Sequence, residues 1–233
     1  MKIGIIGAME SEVATLVKTM TESKKTCIGN LDFYEGILEE KNVVVVKCGV
    51  GKVNAAICAT VLINNFNIDS MINTGIAGAL ASGLRIFDFV VSTSAVYHDF
   101  DIQFFGYPPG GVPGFKSPYL SADENLVSKI EIAFSKNEKL KGRKLLKGVV
   151  ASGDQFISDS SKKDFIKQTF NPACCEMEGT AIAHACSNFG VPFAILRCMS
   201  DMADDSATST YTYNEDVAAE ECSNLVLSVL KEL

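Results

Sequence analysis

Arginine is scarce. Arg85, Arg143 and Arg197 are the only guanidinium groups in a chain of 233 residues, and an enzyme that grips a phosphate anion usually does so with guanidinium groups. The eight cysteines, at 27, 48, 58, 174, 175, 186, 198 and 222, form no CxxC pair. No Cys/His spacing suits zinc. The two histidines offer little: His98 falls at the start of a loop and His184 in the middle of a helical stretch, and both are read as packing or locally hydrogen-bonded side chains. No run of 18 apolar residues exists, which argues against a membrane span. The apolar stretch at the N-terminus is broken by Glu10 and Glu12, unlike a signal peptide. Linkers, internal repeats, low-complexity tracts and charge blocks are absent as well.

What is present has the balance of an ordinary folded protein, with 47% hydrophobic and 21% charged residues. The net charge of −7 repels phosphate backbones and anionic lipid, so nucleic acid and membrane surfaces are poor partners. Most cysteines lie in apolar runs such as Ala56-Ile57-Cys58-Ala59, where a thiol acts as a small hydrophobe. So many unpatterned thiols suggest a reducing compartment, with the cytoplasm as the default location.

Short apolar runs alternate with helical patterns. Strands are expected at Lys2–Ala8, Leu31–Leu38, Asn42–Cys48, Ser70–Thr74, Phe87–Ser94, Leu145–Ser152, Ala173–Met177 and Pro192–Ser200. Helices are expected at 10–22, 52–65, 122–136, 159–169, 178–189 and 211–231. This alternation predicts a single α/β domain, residues 1–233, with a mixed central sheet flanked by helices. Residues 98–119 stand apart as a long loop rich in proline, glycine and aromatic side chains. Loops of that length in a compact domain usually serve function or cover a neighbour.

Two glycine-rich strand ends follow. Gly49-Val50-Gly51-Lys52-Val53-Asn54 fails as a dinucleotide fingerprint at Asn54, and fails as a P-loop at Val46 and Val53. A tight strand-to-helix turn accounts for it equally well. Asn73-Thr-Gly-Ile-Ala-Gly78 carries small residues that let a ligand approach the backbone.

The carboxylates say more. Glu10 and Glu12 follow the first strand, so at least one lies near the carboxyl edge of the sheet, where ligands bind in open α/β folds. Favourable charge at a helix N-terminus is the plain alternative. Glu176-Met177-Glu178 marks another strand-to-helix junction. Strand alternation would put its two carboxylates on one side and Met177 opposite. Acidic residues in so apolar a run are costly unless hydrogen-bonded. Arg197 and Asp201 end the strand Pro192–Ser200 with shared parity, and a salt bridge accounts for Arg197 as readily as catalysis does. Acidic groups at the ends of three core strands are what acid/base chemistry needs.

Taken together, Gly4-Ile-Ile-Gly-Ala-Met-Glu-Ser-Glu12, Asn73–Gly78, Tyr97-His-Asp99, Ser152-Gly-Asp-Gln-Phe-Ile157, Glu176-Met-Glu178 and Arg197-Cys-Met-Ser-Asp201 resemble the bacterial 5′-methylthioadenosine/S-adenosylhomocysteine nucleosidases. The resemblance runs from Met1 to the C-terminal helix. It implies the nucleoside phosphorylase/hydrolase fold and a homodimer that needs no metal or cofactor and acts on a small adenine nucleoside. It also implies roles. Glu12 is the base that activates water, and Arg197 helps hold that water. Glu178 binds the ribose hydroxyls with Met177 packed on the ribose. Asp201 is the acid at adenine N7, supported by Ser200. Phe156 and the Ile157 backbone form the adenine pocket, and Val50 and Tyr211 line the 5′-substituent and base region. Ile76, Ala77, Gly78 and Glu176 complete the substrate-binding set. Ile102, Phe105 and Pro113 reach across the dimer into the neighbour's 5′-thioalkyl pocket. Ile76 departs from a common Ser and Tyr211 from a common Phe. A purine nucleoside phosphorylase, a futalosine-type nucleosidase and a non-enzymatic adenine-nucleoside binder stay open as alternatives.

Overall fold

The computed structural model describes residues 1–233. Ten strands and six helices alternate as β1 (Lys2–Gly7), α1 (Glu10–Thr19), β2 (Thr21–Ile28), β3 (Leu31–Leu38), β4 (Lys41–Lys47), α2 (Lys52–Phe66), β5 (Ser70–Ala79), β6 (Phe89–Tyr97), β7 (Leu120–Ser121), α3 (Glu124–Lys136), β8 (Leu145–Ser152), α4 (Ser160–Phe170), β9 (Cys174–Glu176), α5 (Gly179–Phe189), β10 (Phe193–Asp201) and α6 (Ala207–Leu230). This is the single-domain α/β fold with a mixed central sheet that the alternation predicts. No helix is long and apolar enough to cross a membrane.

The sheet runs β10-β6-β8-β9-β5-β1-β4-β3-β2, and β10 also pairs with β5. Five strands, β5, β10, β6, β8 and β9, therefore close into a ring, and β1 to β4 extend from it as a flat wing. Strand β5 is the junction. Its first half pairs in parallel with β1, most of its length pairs in parallel with β10, and its last two residues pair antiparallel with β9. Every residue of β5 is buried. Helix α6 packs on β10, β5, α1 and α3, while α2 packs on α5. A large apolar core fills most of the space between helices and sheet, and a smaller cluster that includes Val96, Ile166 and Phe170 packs beside it.

Three expectations need correction. The helix expected at 10–22 stops at Thr19 and is followed by β2, which pairs only with β3. Its sequence, TESKKTCI, has no apolar alternation and is mostly exposed; backbone pairing with β3 makes it a strand, and its lysines suit a sheet edge. The strand expected at Ser70–Thr74 runs on to Ala79, because β10 pairs with Gly75–Gly78 and β9 with Gly78 and Ala79, which gives the backbone of these small residues partners. The strand expected from Phe87 starts at Phe89, since Phe87 has φ +67° and cannot continue an extended chain. The 98–119 loop is irregular apart from a short 3₁₀ turn at Gln103–Phe105.

The turn that leads into β6 is held by Asp88, which is fully buried. One of its oxygens accepts the Arg85 N–H at 2.9 Å and the other the Lys144 N–H at 2.9 Å. Removing that carboxylate strands two backbone donors. Asp88→Ala should therefore lower the free energy of unfolding by about 3 kcal/mol, measured by urea denaturation; a change within error would show that water replaces the carboxylate freely.

Candidate active site

The cleft opens over the last residues of β5. Helix α1 begins directly after β1, so its third residue, Glu12, turns back over the strand ends. One carboxylate oxygen of Glu12 accepts the backbone N–H groups of Ala8 at 2.6 Å and Met9 at 3.0 Å, and the other accepts that of Ile76 at 3.0 Å. Of the two acidic residues after β1, Glu12 is buried in the cleft, whereas Glu10 is exposed and pairs with Lys47 at 2.8 Å. Burial pushes the Glu12 carboxyl above its ordinary range, opposed by Arg197 and the three backbone donors.

Glycine is required twice on this strand. A Cβ at Gly75 would stand 2.4 Å from Glu12 Oε1 and 2.9 Å from an Arg197 guanidinium nitrogen. A Cβ at Gly78 would stand 2.9 Å from Asp201 Oδ1. Each bare Cα gives one carboxylate its place against the strand.

Arg197 lies on β10 opposite Gly75 and is 1% exposed. One terminal nitrogen donates to Glu176 Oε2 at 2.5 Å and to Asn73 Oδ1 at 2.6 Å. Burial opposes its charge, but Glu176, Glu12 and Glu178 more than offset that and raise its pKa. Glu176 is fully engaged by the protein. Besides Arg197 it accepts the Ser152 hydroxyl and, at the start of α5, the N–H groups of Glu178 at 3.1 Å and Gly179 at 2.7 Å. Glu178 has one protein donor, the Gly51 N–H at 2.8 Å. Its carboxyl is pushed up to about 8, first by burial and then by the neighbouring Glu176 charge.

Asp201 closes the far side. The Ser200 hydroxyl donates to it at 2.9 Å and the Ala203 N–H at 2.8 Å. Burial raises its pKa despite both donors. The β10–β5 register slips between Met199 and Asp201, and this bulge brings Ser200 and Asp201 both to the cleft. Simple parity with Arg197 is thereby lost. The alternation expected for Glu176-Met177-Glu178 also fails. Strand β9 ends at Glu176 and all three residues line the cleft.

The cleft holds about 100 Å³ of free space. Met9, Val50, Ile76, Ala77, Met177 and Tyr211 are among its apolar lining residues, and Glu12, Glu176, Glu178, Ser200 and Asp201 supply its polar groups. An adjoining recess of about 40 Å³ is lined by Gly78, Phe156, Ile157, Cys175 and Asp201, among others. Phe156 meets Tyr211 edge-on at 5.3 Å and stays 45% exposed at the mouth. Arg197, grouped with the catalytic residues from sequence, does not line the cleft; it lies behind Glu12 and Glu176. Ile102, Phe105 and Pro113 do not line the cleft of their own chain either, and Phe105 is 73% exposed. Ala8, Met9 and Cys175 line it without having been singled out. The first two follow β1 directly, at the sheet edge where ligands bind, which was the signal available for them. His184 bonds the Tyr97 hydroxyl at 3.2 Å, and His98 is buried; neither lines the cleft.

A family model described as the phosphorylase superfamily matches residues 2–231. The chain is 41% identical to the 5′-methylthioadenosine/S-adenosylhomocysteine nucleosidase of Geobacillus sp. (strain WCH70), over all of this chain and 99% of that one. Among solved structures, the Neisseria meningitidis 5′-methylthioadenosine/S-adenosylhomocysteine nucleosidase in complex with methylthio-immucillin-A superposes with a TM-score of 0.95 at 34% identity, covering 100% of this chain and 99% of that one. The futalosine hydrolase of Helicobacter pylori strain 26695 superposes with a TM-score of 0.93 at 30% identity, covering 100% and 98%.

The raised carboxyl of Glu178 has a stability signature. Its pKa moves from 4.5 to about 8 on folding, so the native state holds a proton that the unfolded chain releases. That contribution is complete below pH 4.5 and is lost as pH rises through about 8. Urea midpoints measured from pH 5 to 9 should fall with rising pH, and Glu178→Gln should make the fall shallower. An equal slope in the variant would place the retained proton elsewhere.

Proposed function

The chain belongs to the phosphorylase superfamily, and we propose that within it the protein is an N-glycosidase that hydrolyses 5′-methylthioadenosine and S-adenosylhomocysteine, releasing adenine and the corresponding 5-thioribose. The observation that carries this reading is the set of three buried carboxyl groups, Glu12, Glu178 and Asp201, arranged around one cleft and all raised above their ordinary range. The identity to curated nucleosidases over the whole chain supports the substrate class.

Adenine leaves poorly as an anion, so N7 needs a proton. Asp201 supplies it: burial keeps its carboxyl protonated to higher pH, and the Ser200 and Ala203 donors fix its orientation. As the glycosidic bond breaks, the ribosyl fragment gains oxocarbenium character. Glu178 holds the ribose hydroxyls, with Met177 against the sugar. Glu12 takes a proton from the attacking water, whose oxygen bonds to the anomeric carbon. Arg197 and Glu176 hold the electrostatics around Glu12 and Glu178. Phe156 and the Ile157 backbone receive the purine, with Ala77 and Gly78 beneath it. Val50, Ile76 and Tyr211 line the remaining wall.

Hydrolysis is favoured over phosphorolysis by the inventory of cations. Arg197 is already bonded to Glu176 and Asn73. Arg85 pairs with Asp88 and Arg143 stacks on Phe87, at the opposite end of β6. Phosphate would meet the Glu12 carboxylate without a free guanidinium beside it. The same accounting separates this protein from a phosphorylase of its superfamily. Incubation with 5′-methylthioadenosine should release adenine and free 5-methylthioribose at a rate that phosphate does not change. Asp201→Asn should slow turnover by roughly 10²–10⁴ and Glu12→Gln by roughly 10² or more. A sugar 1-phosphate as main product would overturn the hydrolytic assignment; binding without turnover would make the protein a nucleoside binder, and preference for a futalosine-type nucleoside would move the substrate.

The protein acts as a homodimer in the cytoplasm. Phe104, Phe105 and Tyr107 of the 98–119 loop are exposed, as are Val53 and Ile57 on α2, and a second copy would bury them. Ile102, Phe105 and Pro113 would then border the neighbour's 5′-thioalkyl pocket. Seven of the eight cysteines are buried and all are unpaired, which suits a reducing compartment. Sedimentation should give twice the chain mass; a fully active monomer would overturn the loop's role.

A further inference from the structure

Two motifs supply no acid or base to this chemistry, Tyr97-His98-Asp99 and Gly49-Val50-Gly51-Lys52, yet they meet beside the cleft. Lys52 opens α2, and its Nζ donates to both carboxylate oxygens of Asp99 at 2.7 Å. Asp99 also accepts the backbone N–H of Asp154 at 2.9 Å. Asp154 in turn accepts the backbone N–H of Lys52 at 2.8 Å and stands 3.7 Å from its Nζ. The same ammonium lies 5.4 Å from the centre of the Tyr97 ring. The side chains of Lys52 and Asp99 are 21% and 15% exposed, dry enough for charge-assisted hydrogen bonds to hold geometry. Burial disfavours the Asp99 charge, but Lys52 and the Asp154 N–H more than offset it and hold its carboxyl below the usual range.

Three separate segments end in this cluster, and two of them carry opposite walls of the cleft. The turn between β4 and α2 bears Val50 and the Gly51 N–H, the one protein donor to Glu178. The loop after β8 bears Phe156 and Ile157, just beyond Asp154. The third segment, the end of β6, starts the 98–119 loop. Gly51 has φ +99°, a conformation that side-chain-bearing residues rarely adopt. Asp154 Oδ1 stands 3.1 Å from where a Cβ at Gly51 would be. We propose that Lys52, Asp99 and Asp154 form an ionic latch that aims the Gly51 N–H at Glu178 and fixes the spacing between the sugar wall and the base wall of the cleft. None of the three lines the cleft, so they are positioning residues. The catalytic half of the proposal rests on the reading of Glu178 as the sugar-binding carboxylate; the geometric half stands on Gly51 and Glu178 alone.

Both halves are tested with Lys52→Met and Asp99→Asn, the latter isosteric and gentler on folding. The first readout is the Gly51 backbone amide shift in the full-length protein, followed by NMR from pH 5 to 9. It should move with the titration of Glu178 in the wild type and lose that response in Glu178→Gln, which separates Glu178 from the other charged groups facing it, Glu176, Glu12 and Arg197. The response should also be lost or displaced in both latch variants while core amides stay in place. The second readout is kcat/KM for 5′-methylthioadenosine, expected to fall roughly 10–100-fold as the donor shifts. Adding Lys52→Met to Glu178→Gln should cost little more than Glu178→Gln alone. An unchanged Gly51 response in both latch variants, or fully additive losses in the double variant, overturns the latch. If the wild type releases no adenine but Gly51 still follows Glu178 and is uncoupled by the latch variants, the latch stands and the nucleosidase reading fails.

Discussion

Around Arg197 the protein keeps one buried positive charge among three buried carboxyl groups, Glu12, Glu176 and Glu178. A single guanidinium cannot neutralise three anions in a poorly solvated space. The direct ion pair goes to Glu176, which spends its lone pairs on Arg197, Ser152 and the start of α5. Glu12 and Glu178 are left with backbone donors and with protons more strongly held than water would allow. That division of labour separates a structural carboxylate from two that can trade protons. Their apparent titrations belong to the group as a whole.

The second constraint is steric. Strand β5 must approach Glu12 and Asp201 so closely that a methyl group at either Gly75 or Gly78 would collide with a carboxylate oxygen. The strand is paired with β10 along one edge and held at the two ends of the other by β1 and β9, so its backbone has little freedom to retreat. Ile76 and Ala77, between those glycines, both line the cleft. Ile76 adds apolar surface beside Glu12 while its own N–H bonds the carboxylate. Burial thus raises the Glu12 pKa while hydrogen bonds keep its orientation, a balance suited to a base that must not stay permanently ionised.

Much of this was legible beforehand because apolar periodicity and strand-end carboxylates are local signals. The alternation of strands and helices and the gathering of carboxylates at the ends of three core strands follow from short segments; the choice of Glu12 over Glu10 came only with the family resemblance. Strand β2 was not legible, since its residues carry no apolar pattern and only pairing with β3 orders them. The bulge before Asp201 and the end of β9 at Glu176 depend on partners more than a hundred residues away or on a helix start, so strict alternation failed there. For Arg197 the sequence left a salt bridge and catalysis equally open, since it cannot tell a guanidinium in a cavity wall from one behind it; the ion pair with Glu176 is what the fold makes. The engagement of Asn73 and Ser152 with that guanidinium and its carboxylate partner was likewise invisible without coordinates.

The junction strand also governs how the molecule comes into being. One flank of β5 is covered by β10, whose residues are made last but for α6, and β9 arrives only shortly before. During synthesis, the first 79 residues can assemble β1 to β5 while β5 still presents an open edge of buried-type residues to its surroundings. Closing the ring joins segments about 120 positions apart, a high-contact-order step that carries a large loop-closure cost. The cleft is therefore half built until then. Its floor and its base, Glu12, belong to the first 79 residues, whereas Glu178 and the acid, Asp201, join only when the ring closes, and a nascent chain is exposed to misassociation until that event is complete.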